Sequence, residues 1–261
     1  MNKIIITMVI PVFLFYIIFL EFEDNKSITN FQEKMGWLIN SYAMTPHNFE
    51  DNFEDIDPYL LSEGELSPND KWQNVYNGYG SSGVEEEDNN NVFFMYPRTS
   101  QNKDNTNANL VLTTENFSNF EMKINVKTEK QLRQNDPPNP WEVAWIFFRY
   151  NDDYHYYWFT VKPTGIELGK KDCNDCTNTY QGQIFLYTDH EPILKIGKWS
   201  KWIIKMVDNR ITINVNGHKV IDFTDTDMTE QLSDGKVGLY NEDAYVKFDD
   251  VKIKRLMNHD G

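Results

Sequence analysis

Aromatic and charged side chains alternate along two neighbouring segments in the middle of the chain. Trp145 and Phe147 lie in the first segment, and Tyr156 and Trp158 lie in the second. A sugar is held when aromatic rings pack on its apolar C–H face while charged or amide groups bond its hydroxyls. The pattern therefore favours a carbohydrate ligand. The residues predicted to bind it are Gln131, Arg133, Trp145, Phe147, Arg149, Tyr156, Trp158 and Lys162.

The two segments are predicted to form a β-hairpin in which Tyr150 pairs with His155. Alternate residues of a strand point to opposite faces, so this register separates two sets of side chains. One face is apolar and the other mixes aromatic and cationic groups, looking outward or into a concave groove. The alternative is that its rings pack beneath the proline-rich segment 137–140. The apolar set is Ala144, Ile146, Phe148, Tyr157, Phe159 and Val161; the mixed set is Trp145, Phe147, Arg149, Tyr156, Trp158, Thr160 and Lys162.

Three residues near the hairpin have side chains that transfer protons. His155 carries an imidazole, which can serve as a general base, and Glu142 and Glu167 carry carboxyl groups on adjoining segments. We name His155, Glu142 and Glu167 as candidate catalytic residues, with Arg149 and Lys162 as candidate anion stabilisers. A histidine beside a turn also often has no catalytic role, so binding without catalysis stays open.

From about residue 49 the sequence consists of short apolar runs cut by Asn, Asp, Gly and Pro, a pattern typical of many strands joined by turns. Strands at hairpin distances predict an all-β fold with antiparallel sheets. Asn216-Gly217 predicts a type I′ turn, and the acidic run 85–88 predicts a solvated loop. The predicted strands are 92–96, 109–113, 120–127, 143–150, 155–161, 166–168, 183–187, 202–207, 210–214, 218–223, 236–240 and 246–254.

The hairpin also resembles a known family. Its residues Trp145-Ile146-Phe147-Phe148-Arg149-Tyr150-Asn151-Asp152, His155-Tyr156-Tyr157-Trp158-Phe159 and Gly165-Ile166-Glu167-Leu168-Gly169-Lys170 resemble the concanavalin A-like lectin/glucanase superfamily. The nearest group is that of the 3-keto-disaccharide hydrolase, or family-16-like glycosidase, domains. The resemblance spans residues 48–255 and implies a jelly-roll sandwich of two antiparallel sheets.

Function follows less directly from this resemblance, because the fold hosts lectins, hydrolases and lyases. The E-x-D-x-x-E strand of laminarinase-type members, which presents two carboxylates on one face, is absent from the sequence. The first hypothesis is a lectin-like domain binding polysaccharide or glycoconjugate. The alternatives are a glycoside hydrolase or lyase acting on a disaccharide or 3-keto-glycoside, and a structural envelope protein with no small ligand.

The resemblance also implies a structural calcium ion. Asp51, Asp249 and Asp250 are the predicted ligands, because Ca²⁺ prefers carboxylate and carbonyl oxygens. The two cysteines of the chain, Cys173 and Cys176, are predicted to form a local disulfide. A redox motif lacks its βαβ context, and a zinc site lacks two further ligands nearby.

The formal net charge of −15 disfavours nucleic acid as a partner. Lys3 is followed by an apolar run, residues 4–20, which would span about 25 Å as a helix. The segment 1–21 is therefore predicted to be a hydrophobic helix that serves as signal anchor or signal peptide. A stalk at 22–45, the β-sandwich at 46–257 and a tail at 258–261 follow. These features predict a protein at the cell surface, anchored in the membrane by its N-terminus or secreted.

Overall fold

The computed structural model describes residues 6–7, 17–18, 48–102, 104–178 and 181–257. The chain divides into two compact units, Met1–Pro46 and His47–Gly261. In the first unit, β1 (Ile6–Thr7) and β2 (Ile17–Ile18) pair antiparallel. The rest of the predicted N-terminal helix, the stalk and the tail 258–261 lie outside the described residues. Where the structure is described, no helix is long and apolar enough to cross a bilayer, and the membrane anchor stays a prediction.

The second unit is built from antiparallel strands. They are β3 (Phe49–Asp51), β4 (Tyr59–Leu60), β5 (Trp72–Asn77), β6 (Ser81–Glu87), β7 (Asn90–Tyr96), β8 (Ala108–Asn116), β9 (Phe120–Gln131), β10 (Ala144–Asp152), β11 (His155–Lys162), β12 (Gly165–Asp172), β13 (Gln183–Asp189), β14 (Ser200–Val207), β15 (Arg210–Val215), β16 (His218–Thr224), β17 (Lys236–Glu242) and β18 (Ala244–Arg255). A 3-10 turn, Glu230–Leu232, precedes β17.

The strands form two sheets. One has seven strands in the order β13-β12-β11-β10-β17-β8-β5. The other has nine and follows the path β16-β15-β14-β9-β18-β7-β6-β4, with β3 pairing to β18. The predicted all-β class and the jelly-roll-like sandwich of two antiparallel sheets are confirmed.

The core lies between the two sheets. All six residues predicted for the apolar face of the hairpin belong to it, and each is at most 3% exposed. The nine-stranded sheet contributes Ile204, Ile213 and Phe248 to the same core. Burial of one such large side chain stabilises a fold by about 1.5–3 kcal/mol, so the hairpin is fixed by the core face that its sequence alternation provides.

Two turns show how the sequence sets the hairpins. Asn216 and Gly217 have φ angles of 51° and 83°, as a type I′ turn requires, and the prediction for this hairpin is confirmed. The prediction of a solvated loop at 85–88 is wrong. Glu85 and Glu87 lie in β6, and the chain reverses at Asp88 and Asn89, whose φ angles are 54° and 62°. Asp and Asn tolerate this left-handed backbone, so the polar run makes a tight turn instead of a loop.

Candidate functional site

The hairpin of β10 and β11 forms the centre of the seven-stranded sheet. Phe147 pairs with Trp158 and Phe148 pairs with Tyr157, which is the register that the sequence predicts. The alternation therefore holds from residue 145 to residue 148. It places the side chains of Phe147 and Trp158 on the outer face of the sheet, away from the core.

The prediction that Arg149 lies on the outer face is wrong, because a β-bulge follows Phe148. Against β17 the bulge adds one residue to β10, which interrupts the alternation at Arg149, and against β11 it adds two, so that Asp152 instead of Tyr150 pairs with His155. Arg149 has a φ of 49° and is 1% exposed. Its guanidinium donates to the carbonyls of Ser118 (2.8 and 3.0 Å) and Leu232 (2.9 Å), and burial lowers its pKa to about 10. Arg149 therefore ties a loop and the 3-10 turn to the hairpin and does not lie on the outer face.

The outer face of the seven-stranded sheet carries its own apolar cluster, which we call the aromatic face. The Phe147 ring lies at its centre, with centroids 4.4 Å from Tyr240 and 4.5 Å from Tyr156, both stacked. Phe147 is 5% exposed, whereas Tyr156 and Tyr240 are partly exposed. The face therefore presents ring edges and surfaces to solvent on the outer side of the sheet. Its members are Val75, Tyr76, Leu110, Leu112, Trp145, Phe147, Tyr150, Tyr156, Trp158 and Tyr240.

Two of the predicted polar residues lie beside these rings. Glu167 on β12 accepts a hydrogen bond from Nε1 of Trp158 at 3.0 Å. Its second carboxylate oxygen forms an ion pair with Lys162 at the end of β11. Glu167 is 6% exposed and Lys162 is partly exposed. The structure thus brings together a carboxylate, a cation and an indole at one side of the aromatic face.

One further carboxyl group at this face, that of Glu242, is not among the residues predicted from the sequence. Glu242 is the last residue of β17, two positions after Tyr240, so both side chains point to the outer face. The Tyr240 hydroxyl donates to Oε1 of Glu242 at 2.7 Å. Burial, with the nearby carboxylates of Asp243, Glu142 and Glu167, raises the pKa of Glu242 to about 7. The predicted strand ended at residue 240, and extending its alternation by two residues would have found Glu242.

The tyrosines around Glu242 remain protonated over the whole physiological range. Burial, the largest cause in each case, raises the pKa of every one of them well above its ordinary value. They therefore act as hydrogen-bond donors instead of anions. The residues concerned are Tyr76, Tyr150, Tyr156 and Tyr240.

Glu142 and Arg133, which the sequence predicted to bind ligand or transfer protons, lie in a buried ion cluster. Glu142 is 0% exposed, and its Oε1 accepts from Nε of Arg133 at 2.6 Å and from the Asn139 amide at 2.8 Å. Arg133 also donates to Asp243 at 3.0 Å. The Gln131 amide donates to the Asn139 carbonyl at 3.0 Å. These contacts hold the segment 137–140 in place, and Glu142 and Arg133 do not reach the surface.

His155 lies at the turn end of the hairpin. Its Nδ1 lies 2.9 Å from the Asp152 carboxylate and its Nε2 lies 3.2 Å from Oδ1 of Asn174. Glu142 precedes the opposite end of β10, roughly 25 Å away at about 3.3 Å per residue. The structure therefore does not bring His155, Glu142 and Glu167 into one site.

The predicted calcium ligands are engaged elsewhere. Asp51 is 4% exposed, and its carboxylate accepts from the Asn69 amide at 3.0 Å and from Nε1 of Trp72 at 2.9 Å. Asp249 and Asp250 each accept from an asparagine amide on a neighbouring strand. Within the described ranges, no three His, Cys, Asp or Glu side chains are grouped to hold a metal ion. The calcium site stays a prediction.

The cysteine pair follows β12 directly. Cys173 and Cys176 form a disulfide, with their Cα atoms 5.7 Å apart. Gly182 packs against this bridge, since a Cβ at that position would meet the Cβ of Cys173 at 2.6 Å. The disulfide therefore closes a short loop beside the edge strand β13.

Known structures share this sandwich. The carbohydrate binding module CBM66 from Bacillus subtilis is 14% identical, with a TM-score of 0.50 over 74% of this chain and 99% of that chain. A GH16 protein of a Bacteroides ovatus mixed linkage glucan PUL, in complex with a G4G4G3G product, is 11% identical, with a TM-score of 0.51 over 79% and 99%. Beta-agarase B from Zobellia galactanivorans is 8% identical, with a TM-score of 0.54 over 79% and 91%. These likenesses establish the concanavalin A-like fold.

The sequence itself matches a family over most of the sandwich. No curated protein matches the chain in sequence. The profile of the 3-keto-alpha-glucoside-1,2-lyase-like domain matches residues 60–254, from β4 to the end of β18. The resemblance in the β10–β11 hairpin is thereby confirmed, and the chain belongs to the 3-keto-alpha-glucoside-1,2-lyase-like domain family.

Proposed function

We propose that the aromatic face binds carbohydrate. The observation that carries this proposal is the outer cluster itself, in which stacked rings around Phe147 lie on a sheet face outside the core. Partly exposed rings such as Trp145 and Tyr240 suit the apolar C–H side of a pyranose. Lys162, Glu167 and Glu242 at the margins suit its hydroxyl groups.

A neutral glycan fits the charges of this face better than an anionic one. Glu167 has its compensating cation in Lys162, whereas Glu242 has none within salt-bridge distance among the described residues. The chain as a whole has a formal net charge of −15. An anionic sugar approaching this surface would meet a repulsive field. The known structures with this fold include one named as a carbohydrate binding module, which supports the same ligand class.

A glycan array followed by titration calorimetry on each bound glycan tests the proposal with the full chain. Trp145→Ala removes one partly exposed ring and should weaken binding about tenfold, since an aromatic contact contributes about 1 kcal/mol beyond its buried area. Tyr96→Ala, at a half-exposed ring on the nine-stranded sheet, is the matched control and should leave the affinity unchanged. Equal loss in both variants, or no glycan bound by the wild type, would contradict the proposal.

A second candidate function is cleavage of the bound sugar, as a hydrolase or lyase acting on a disaccharide or 3-keto-glycoside. The match to a lyase-like family and the position of Glu242 on the aromatic face favour it. Chromatography of released products, after incubation with trehalose or methyl α-D-glucoside and their 3-keto forms, tests this function. If Trp145→Ala released products at the same rate as the wild type, the cleavage would have to occur away from the aromatic face.

We further propose that the protein acts at the cell surface or after secretion and that calcium stabilises it. The apolar run 4–20 and the Cys173–Cys176 disulfide support the extracytoplasmic location. Fractionation of cells with an antibody to the sandwich tests this location, and a cytosolic signal would contradict it.

Thermal melting of the protein with calcium and with a chelator tests whether calcium stabilises the fold. Equal melting temperatures in the two conditions would contradict a stabilising role of calcium.

A further inference from the structure

We propose that Glu242 is a catalytic acid of the aromatic face, donating its proton to the glycosidic oxygen of a sugar bound there. This inference rests on the proposed carbohydrate site and goes beyond it by assigning the proton donor. It assigns this role to Glu242 in place of His155, which lies at the turn end of the hairpin, and of Glu142, which is bonded to Arg133 in the buried ion cluster.

The first support is position. Tyr240 stacks on Phe147 at 4.4 Å and meets the edge of the Trp145 ring at 6.1 Å. Its hydroxyl holds the Glu242 carboxyl at 2.7 Å, and Glu242 is partly exposed. A sugar lying on these rings would therefore have its ring oxygens and linkage oxygen within reach of a carboxyl fixed by a second side chain.

The second support is the difference between Glu242 and Glu167. One carboxylate oxygen of Glu167 accepts a hydrogen bond from Nε1 of Trp158, and the other forms an ion pair with Lys162. Glu242 has one hydrogen bond, from Tyr240, and no cationic partner in the described part of the chain. Two carboxyl groups on one face with such different partners suit different protonation states, which is how acid and base roles are separated in enzymes.

The surroundings of Glu242 favour its protonated form, so that a large fraction of it still carries a proton as the pH approaches 7. Burial and neighbouring carboxylates raise its pKa to about 7, and the hydrogen bond from Tyr240 acts in the opposite direction. Lys162 is paired with Glu167, and Arg133 is paired with Glu142 and Asp243, so neither cation is bonded to Glu242. The titratable groups that face Glu242 are Tyr240 and Asp243 on its own segment, Tyr76 on β5, Tyr156 on β11, Glu167 on β12 and Glu142 before β10.

The step is hydrolytic. The bond between the anomeric carbon and the glycosidic oxygen breaks with its electron pair on that oxygen, which takes the proton of Glu242. The anomeric carbon then bonds the oxygen of a water molecule, and the proton lost by this water returns to the Glu242 carboxylate. One glycoside and one water give two hydroxyl-bearing products, and Glu242 ends protonated as it began.

The experiment compares the full-length wild type with Glu242→Gln, which keeps the shape and neutrality of the acid but has no proton to donate. The probes are the oligosaccharides that bind the wild type, together with methyl and 4-nitrophenyl α-D-glucosides and their 3-keto forms. Glu242→Gln should lower kcat about 10²–10⁴-fold, the usual range for a lost general acid, and should leave the dissociation constant within threefold. The loss should be smaller for 4-nitrophenyl than for methyl glycosides, because nitrophenolate leaves without protonation.

Two further variants separate a catalytic from a structural role. Tyr240→Phe keeps the ring but removes the hydrogen bond that lowers the pKa of Glu242, so the alkaline limb of the kcat profile, near pH 7 in the wild type, should move to higher pH. Glu242→Asp should retain part of the activity. Tyr96→Phe on the other sheet is the control and should match the wild type.

The outcomes distinguish this inference from the function on which it rests. A wild type that binds glycans but releases no product from any probe overturns the catalytic acid and leaves the binding site standing. Full turnover by Glu242→Gln, or cleavage that adds no water to the products by mass spectrometry, also overturns it. Absence of glycan binding overturns the proposed function itself.

Discussion

The outer faces of the two sheets use the same residue types in opposite ways. On the nine-stranded sheet, Lys247 lies 2.8 Å from Glu85 and 3.0 Å from Glu87, and Lys127 lies 2.5 Å from Glu87. Tyrosines and lysines also stack there, as Lys247 does on Tyr245. Both faces therefore combine rings, carboxylates and lysines, but Glu85 and Glu87 on the nine-stranded sheet have cationic partners and Glu242 on the aromatic face has none among the described residues.

This difference determines how each face responds to protons. For Glu87, burial opposes ionisation, but hydrogen bonds from Lys127 and Lys247 outweigh it and lower the pKa. For Glu242, burial and like charges act together and raise the pKa to about 7. A face whose charges are paired is suited to holding a sheet together. A face with a neutral carboxyl among rings is suited to binding and proton transfer.

The largest expected effect comes from removing the centre of the aromatic face. Phe147→Ala deletes a ring that is 5% exposed and stacked on two others, and should lower the free energy of unfolding by about 3–5 kcal/mol. Tyr96→Ala, at a ring 37% exposed on the other face, should lower it by about 1 kcal/mol or less. Urea unfolding of both variants measures the difference. Similar losses would mean that the aromatic face is no better packed than the opposite surface.

The pH dependence of stability sharpens the comparison. Between pH 4.5 and about 7, folded Glu242 keeps a proton that the unfolded chain has released, so the wild type should lose stability with rising pH relative to Glu242→Gln. The expected difference is on the order of 2–3 kcal/mol, allowing for screening at a partly exposed group.

Glu87 should behave in the opposite way. Its folded pKa is lowered, so its contribution is present above pH 4.5 and is lost as the pH falls through the folded value. Unfolding free energies of the wild type, Glu242→Gln and Glu87→Gln from pH 3 to pH 8 measure both slopes. Parallel curves for the two variants would contradict the assigned protonation states.

The smallest expected effect is at the ion pairs. Lys247→Met removes the lysine shared by Glu85 and Glu87, whose side chains are 30% and 21% exposed. We expect a loss of about 1–2 kcal/mol, between the values for exposed and fully buried pairs. The loss should shrink in 1 M salt, whereas that of Phe147→Ala should not. An equal salt dependence in both variants would contradict the contrast between the faces.

Side-chain alternation predicted much of the candidate site. The sequence predicts Phe147 and Trp158 on the outer face and Phe148 in the core, because strand residues alternate strictly and a buried face fixes the register. Arg149 does not follow this alternation, because it lies at a bulge and its guanidinium donates hydrogen bonds to the carbonyls of Ser118 and Leu232. Partners so far away in sequence leave no trace in the local pattern.

Polar residues at strand ends were harder to predict. Glu242 follows Asn241 and precedes Asp243, a composition that favours a turn. The strand continues there because Asn241 pairs with Ala144 on one side and Glu242 pairs with Ala108 on the other. The composition around Glu87 likewise predicts a loop, but Glu87 lies in β6 because β7 pairs with it. Neighbouring strands overrode the local preference in both cases.

The sequence by itself determined the strands from β7 to β18, the turn at Asn216-Gly217 and the two faces of the central hairpin, because these depend on residues near one another in the chain. Only the tertiary structure determined that the Glu242 carboxyl is largely buried and has no cationic partner among the described residues. The groups around Glu242 come from β5, β11, β12 and the segment before β10. Desolvation and charge depend on distance in space, and residues 76, 142, 167 and 242 become neighbours only when the sheet is assembled.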